Sequence, residues 1–427
     1  MKLKKITALL TAAALGATLA ACSKAEGTDT PATAAADTGT TPPVTAAELS
    51  PEEQAHKDMV GRSFVSLGNT YRIEQKLSQA LNGEKITVAY LGGSITEGVG
   101  GTPDTCYAKL SYNYIAKNYG TGNNVEYVNA GVSGTPSILG NLRVQKDVLD
   151  KNADIVFIEF AVNDGMEQLY KESYESLVRT VLQQENEPAV ILLFTVTKTG
   201  HTCQEHMSQI GEYYGLPMIS VPDAIQPEIE SGRMAWEDYS DDEAHPNGEG
   251  HKLVTEFIEN YFETLKVRNA VDEYVEMPIV PKFGNPYENA FLAEADYDNS
   301  NENLQIADTG SFSAQSRRIA DFEKGAWVYD GEGSTPLKMT VRGNSMFFVC
   351  KRNNSDTMGK FDVIINGSKA ATIDTNQSGG WGEPFAFQAI KWQSVREMEV
   401  EVVPTEDSAG KTIEIYGIAC TQNESLF

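Results

Sequence analysis

The 427-residue chain has 41% hydrophobic and 22% charged residues and a formal net charge of -26, which is the composition of a soluble globular protein long enough for two or three separately cored domains. With no compensating basic stretch, that charge argues against a nucleic-acid partner, whose phosphates would be repelled. The cysteines show no C-x-x-C or zinc-ligand spacing, so no metal framework is implied.

Lys2, Lys4 and Lys5 precede an apolar, Ala-rich run from Ile6 to Ala21, too short to span a bilayer comfortably, so residues 1–21 read as a signal peptide. The run ends in Leu19-Ala20-Ala21-Cys22, which resembles a bacterial lipobox. That resemblance implies lipidation of Cys22 and an extracytoplasmic, membrane-anchored protein at the cell surface or in the periplasm. An ordinary secretory signal with a chance cysteine implies export all the same. Residues 22–50 are mainly Thr, Ala, Pro, Gly and Asp and cannot bury a core, so they are expected to form a flexible linker.

Residues 51–268 alternate continuous apolar runs with amphipathic ones. The runs at 86–91, 125–128, 154–160, 189–194 and 218–221 predict buried strands. Tyr107, Leu110 and Tyr114, the stretches at 171–184 and 203–214, and Leu253, Val254, Phe257, Ile258, Tyr261 and Leu265 predict helices. Together they indicate a parallel sheet covered on both faces, a doubly wound α/β domain.

Pro278, Pro281 and Pro286 mark a connector at 269–290. Beyond it, at 291–427, short alternating runs (337–341, 346–350, 361–365, 398–403 and 412–418) and the Asn366-Gly367 hairpin signal predict an all-β sandwich. Cys350 and Cys420 form the one cysteine pair within this part, and export permits a disulfide between them. Trp327, Tyr329, Trp381, Phe385 and Trp392 are numerous for its length, and Gly379-Gly380-Trp381-Gly382 puts an indole on a glycine-rich loop. An aromatic in a sandwich is usually core, whereas one displayed on a loop is a sugar-stacking surface.

The chemistry-bearing residues follow strands, where open α/β sheets bind ligands. Gly92-Gly93-Ser94 ends the first strand, Gly131-Val132-Ser133-Gly134 follows the second, and Ala161-Val162-Asn163-Asp164 follows the third. Asp242-Glu243-Ala244-His245-Pro246 precedes the last helix, and Pro246 keeps His245 extended and outside that helix. Each stretch alone also reads as an ordinary turn. His201 and His206 flank Cys203 without completing a metal site, His251 reads as a surface residue of the last helix, and Glu97 and Asp164, flanking the site, could tune it electrostatically but read more simply as solvated loop carboxylates.

Gly-Gly-Ser94, Gly134, Asn163 and Asp242-x-x-His245-Pro, in this order, resemble the four blocks of the SGNH hydrolases, also called GDSL esterases. The resemblance implies a three-layer αβα, flavodoxin-like catalytic domain that needs no cofactor. It implies Ser94 as nucleophile, His245 as general base and Asp242 as the group orienting it, with the N–H groups of Ser94 and Gly134 and the Asn163 amide as oxyanion donors. Two positions depart from the family pattern: Gly93 replaces its usual Asp, and Ala161 replaces a Gly. The expected function is extracytoplasmic ester hydrolysis removing acetyl or other short acyl groups from carbohydrate. The alternatives are a lysophospholipase or thioesterase, or a non-catalytic glycan-binding lipoprotein.

Overall fold

The computed structural model describes residues 49–268 and 271–423. The signal peptide at 1–21, Cys22 and nearly all of the 22–50 linker lie outside the described residues.

Strands β1 (Phe64–Ser66), β2 (Ile86–Gly92), β3 (Val125–Gly131), β4 (Ile155–Glu159), β5 (Ala189–Phe194) and β6 (Met218–Ser220) form one sheet in the order β1-β6-β5-β4-β2-β3. Strands β2 to β6 are parallel, and β1 adds an antiparallel edge on β6. Numbered among themselves, the parallel strands run 2-1-3-4-5, the flavodoxin-like order. Every residue of β2, β4 and β5 is buried, because both faces of the sheet are covered. Ile86, Val88 and Tyr90 point to one face, against α2 (Tyr71–Leu81), α4 (Tyr107–Tyr119), α8 (Val221–Glu230) and α9 (Gly248–Lys266). Ala89 and Leu91 point to the other, against α5 (Ser137–Asp147), α6 (Gln168–Leu182) and α7 (Gln204–Tyr214). The remaining helices are α1 (Pro51–Arg62) and the single turn α3 (Ser94–Glu97).

The predicted runs become strands with shifted ends. Strand β3 continues through Asn129, Ala130 and Gly131, whereas β6 stops at Ser220 and Val221 opens α8. Helix α5 was not expected, for a physical reason: Ser137 to Val144 are all buried, so the segment has no polar face to mark a helical period.

The C-terminal part is antiparallel throughout its strand pairs: β7 (Phe291–Glu294), β8 (Leu304–Asp308), β9 (Ser313–Gln315), β10 (Ala326–Tyr329), β11 (Leu337–Asn353), β12 (Lys360–Ile365), β13 (Ser368–Asp374), β14 (Trp381–Pro404) and β15 (Ile413–Thr421). Asn366 and Gly367 both have positive φ and join β12 to β13, as a tight hairpin requires. The runs at 337–341 and 346–350 are one strand, β11, interrupted by a register shift between Gly343 and Ser345. Its first half alternates, with Leu337, Met339 and Val341 buried and Lys338, Thr340 and Arg342 exposed. From Ser345 to Cys350 it is buried on both sides. Met346, Phe348 and Cys350 enter the β core, while Phe347 and Val349 join Ile138, Leu139 and Leu142 of α5 in a second core shared with the α/β part.

Polar contacts reinforce this junction. Glu175 on α6 accepts the N–H groups of Lys282, Phe283 (2.6 Å) and Gly284 (3.0 Å) from the connector, and Lys391 pairs with Glu172. The four described cysteines are buried and free. The disulfide that the sequence permits is not formed: Cys420 lies opposite Met346, whereas Cys350 lies opposite Ile415.

Leu139 is fully buried where the two parts meet. Leu139→Ala is expected to destabilise the protein by about 2–5 kcal/mol in urea unfolding, within one transition that carries both parts.

Candidate active site

The sheet register brings the candidate residues to one level. Gly92 pairs with Gly131 on β3 and with Glu159 on β4, so three adjacent strands end together. Ser94 follows the central end, and Gly134 and Asn163 follow the flanking ones. A buried guanidinium fixes these ends from below: Arg143 donates from Nη2 to the Gly92 carbonyl (2.9 Å) and from Nη1 to that of Ala130 (2.8 Å), and pairs with Asp147 (2.7 Å). Glu159, fully buried, accepts the hydroxyls of Thr195 (2.6 Å) and Thr96 (3.1 Å) beneath the turn that Ser94 opens. Burial raises its pKa, while those hydroxyls, the Gly93 N–H and the charge of His245 hold it down.

Ser94 opens α3 and is 7% exposed. Its Oγ lies 2.8 Å from Nε2 of His245, and Nδ1 of His245 lies 2.7 Å from Oδ2 of Asp242. The 239–247 loop is built to hold this line. Oδ1 of Asp242 accepts the N–H groups of Ala244 (2.8 Å) and His245 (2.7 Å), while the Trp236 indole N–H bonds the Asp242 carbonyl (2.6 Å). Against desolvation, which pushes it up, the two N–H groups and the imidazole bring the Asp242 carboxyl down to about 2, so it is charged at neutral pH. Asn247 caps α9 through Glu249 and Gly250, which starts the helix after His245.

Gly134 has φ +71°, the left-handed conformation that glycine adopts without strain. Oδ1 of Asn163 is buried with no partner among the described residues, against Gly93, where an added Cβ would fall 2.3 Å from it. Among the described residues, the N–H groups of Ser94 and Gly134 and the Asn163 Nδ2 have no hydrogen-bond partner. Three free donors beside a hydroxyl that is hydrogen-bonded to an imidazole can stabilise negative charge developing on an attacked carbonyl.

Trp381, the first residue of β14, joins this cluster from the β part. A Cβ on Gly134 would fall 2.9 Å from its Cζ2, and Trp381 is 63% exposed. Its N–H donates to the buried carboxylate of Glu383 (2.7 Å), which also pairs with Arg352 (2.5 Å). Of the other flagged aromatics, Trp327 and Tyr329 are core, Phe385 lies under the Arg352 guanidinium and Trp392 under that of Arg396.

His251 is not on the surface. It is fully buried on the inner face of α9, where Nδ1 accepts the Tyr107 N–H (3.2 Å) and Nε2 donates to the Val99 carbonyl (3.2 Å), tying down the segment after α3. His201 and Cys203 hold the loop after β4 by bonding the Asp164 carbonyl, at 3.1 and 3.2 Å. No group of three or more His, Cys, Asp or Glu among the described residues is placed to hold a metal ion. Glu159 and Arg143 went unnoticed in the sequence. Glu159 carried a signal, a lone acid inside a buried apolar strand, whereas Arg143 carried none.

Residues 90–253 match the GDSL-like lipase/acylhydrolase family. The chain is also similar to two crystal structures of a two-domain esterase (CEX) active on acetylated mannans, one co-crystallized with mannopentaose. Identity to the mannopentaose complex is 26%, over 85% of this chain and 98% of that one, with a TM-score of 0.74. For the other structure the identity is 27%, over 86% and 99%, again with a TM-score of 0.74. No curated protein sequence matches the chain.

In this geometry a side chain at position 93 would displace the Asn163 amide. Gly93→Ala and Gly93→Asp are therefore expected to lower the kcat for ester hydrolysis about 10- to 100-fold in steady-state assays, the scale of a misplaced oxyanion donor.

Proposed function

With residues 90–253 forming a GDSL-like lipase/acylhydrolase domain, we propose that the protein is a serine ester hydrolase that removes acetyl groups from an acetylated polysaccharide or oligosaccharide of the mannan class. The observation that carries the reading is the hydrogen-bonded line from Ser94 through His245 to Asp242 beside three free N–H donors.

In this mechanism Nε2 of His245 takes the Ser94 proton as Oγ attacks the acyl carbon. The oxyanion is bound by the N–H groups of Ser94 and Gly134 and the Asn163 amide. The intermediate collapses to an acyl-serine, and His245 returns the proton to the departing sugar hydroxyl. Water, deprotonated by His245, then attacks the acyl-serine; the bond to Ser94 Oγ breaks as His245 returns the proton to it, and the acetyl group leaves as acetic acid. Asp242 holds Nδ1 protonated, which keeps Nε2 the basic nitrogen, and its charge stabilises the transient imidazolium.

Two observations support a carbohydrate as the alcohol component. Trp381 presents an exposed indole beside Gly134, a surface on which a sugar ring can stack. The two-domain esterase that this chain resembles along most of its length is active on acetylated mannans. Export and lipid anchoring through Cys22 belong to the same proposal and rest on the N-terminal sequence alone.

Acetate release from acetylated manno-oligosaccharides tests the reading. Ser94→Ala is expected to slow it at least about a thousandfold; equal rates for wild type and variant contradict catalysis and favour glycan capture. A preference for octanoyl over acetyl esters would point instead to a lipase-like or thioesterase-like enzyme.

Trp381→Ala is expected to lower kcat/KM on the oligosaccharide about tenfold, while p-nitrophenyl acetate hydrolysis changes less than about threefold. An equal loss on both substrates contradicts the stacking role.

A further inference from the structure

The turn bearing Gly134 is gripped from both sides by carboxylates that belong to the segments of the other two oxyanion donors. On one side, Ser133 donates its N–H (2.8 Å) and its hydroxyl to Oε2 of Glu97. Glu97 is the last residue of α3, the turn that Ser94 opens. On the other side, Ser137 donates its N–H to Oδ1 of Asp164 (2.7 Å). Asp164 directly follows Asn163, and its backbone carbonyl is fixed by His201 and Cys203. Gly134 therefore lies between two crosslinks, one at Ser133 to the turn that Ser94 opens and one at Ser137, where α5 begins, to the loop that carries Asn163.

From this arrangement, and resting on the ester-hydrolase reading above, we infer that Glu97 and Asp164 are positioning residues that lock Gly134, Ser94 and Asn163 into one rigid oxyanion site. A glycine in a free turn samples many conformations, and a donor displaced by a fraction of an ångström loses much of its effect on the transition state. Glu97 contributes little else, whereas Asp164 also accepts the N–H of Ser137, the first residue of α5. Glu97 is exposed, and both of its bonds go to Ser133. Asp164 is 3% exposed, and its Oδ2 has no partner among the described residues. Burial pushes its carboxyl up to about 8, with the N–H of Ser137 pulling down and the charge of Glu159 pushing further up. A buried acid so poorly compensated is a net cost to folding, and a positional role accounts for its presence. It also separates this pair from Glu159 and Arg143, which brace strand ends rather than the Gly134 turn.

The test is steady-state hydrolysis of p-nitrophenyl acetate by the full-length protein, with thermal melting to verify folding. Glu97→Ala and Asp164→Ala are each expected to lower kcat about 10- to 100-fold with KM changed less than about threefold. The double variant is expected to lose less than the product of the two, because both act through one glycine. Glu97→Gln and Asp164→Asn keep an acceptor oxygen for the same N–H donors and are expected to recover kcat to within about threefold of wild type. Folded alanine variants with wild-type kcat overturn the inference, as does a loss of kcat that the Gln and Asn variants share in full. If Asp164→Ala does not fold, the exposed Glu97 pair of variants decides by the same criteria. A wild type no faster than Ser94→Ala overturns the esterase reading itself, and this inference with it.

Discussion

The common level at which β4, β2 and β3 end is the constraint on which the rest of the site depends. Gly92 is in register with both Glu159 and Gly131, so the loops that follow leave the sheet side by side. A shift of one residue in either pairing moves a loop by roughly 3.3 Å and turns its strand's side chains to the opposite face. Both faces are buried, so the apolar packing of β2 and β4 enforces the register. Arg143 and Glu159 act at the same level: the guanidinium ties two strand-end carbonyls together, and the Glu159 carboxyl holds the hydroxyls under the turn that Ser94 opens. Packing sets the register, and these buried polar groups convert it into a fixed distance between chemical groups.

Helix α5 extends that constraint to the other half of the molecule. One side of it faces the parallel sheet, and the other shares a core with β10, β11 and β15. The long β11–β14 ribbon is thereby seated on the catalytic half, and its end at Asn353 and Trp381 reaches the Gly134 turn. Glu383 and Arg352 fix that end of the ribbon. The all-β part therefore supplies a wall of the site, which a separately tethered module would not do.

Much of this was legible in the sequence because the signals are local. Continuous apolar strands ending in glycine, an Asp and a His three residues apart before a helix, and Asn366-Gly367 between alternating runs each encode their structure within a few residues. The structure brings Ser94, His245 and Asp242 into hydrogen-bond contact and sets Gly134 and Asn163 beside them. The features that stayed hidden depend on contacts between distant segments. Helix α5 lost its periodicity by being buried on both sides. His251 looks like a polar surface residue until Tyr107 and Val99 are folded around it. The glycines around Trp381 suggested an exposed loop, whereas the strand that begins there and the Gly134 turn beneath it arise only from the β11–β14 pairing. The same holds for the contact between Gly93 and Asn163, which only the fold brings together.

The central claim is that the folded protein makes Ser94 alone a nucleophile, through His245 and beside the three oxyanion donors. Labelling with a p-nitrophenyl phosphonate ester tests it most directly, because the reagent phosphonylates an activated serine and leaves a stable adduct that peptide mass spectrometry locates. The account predicts one adduct per chain, on Ser94, and none in Ser94→Ala or His245→Ala. Labelling of another residue, or labelling of Ser94 that persists without His245, would contradict it.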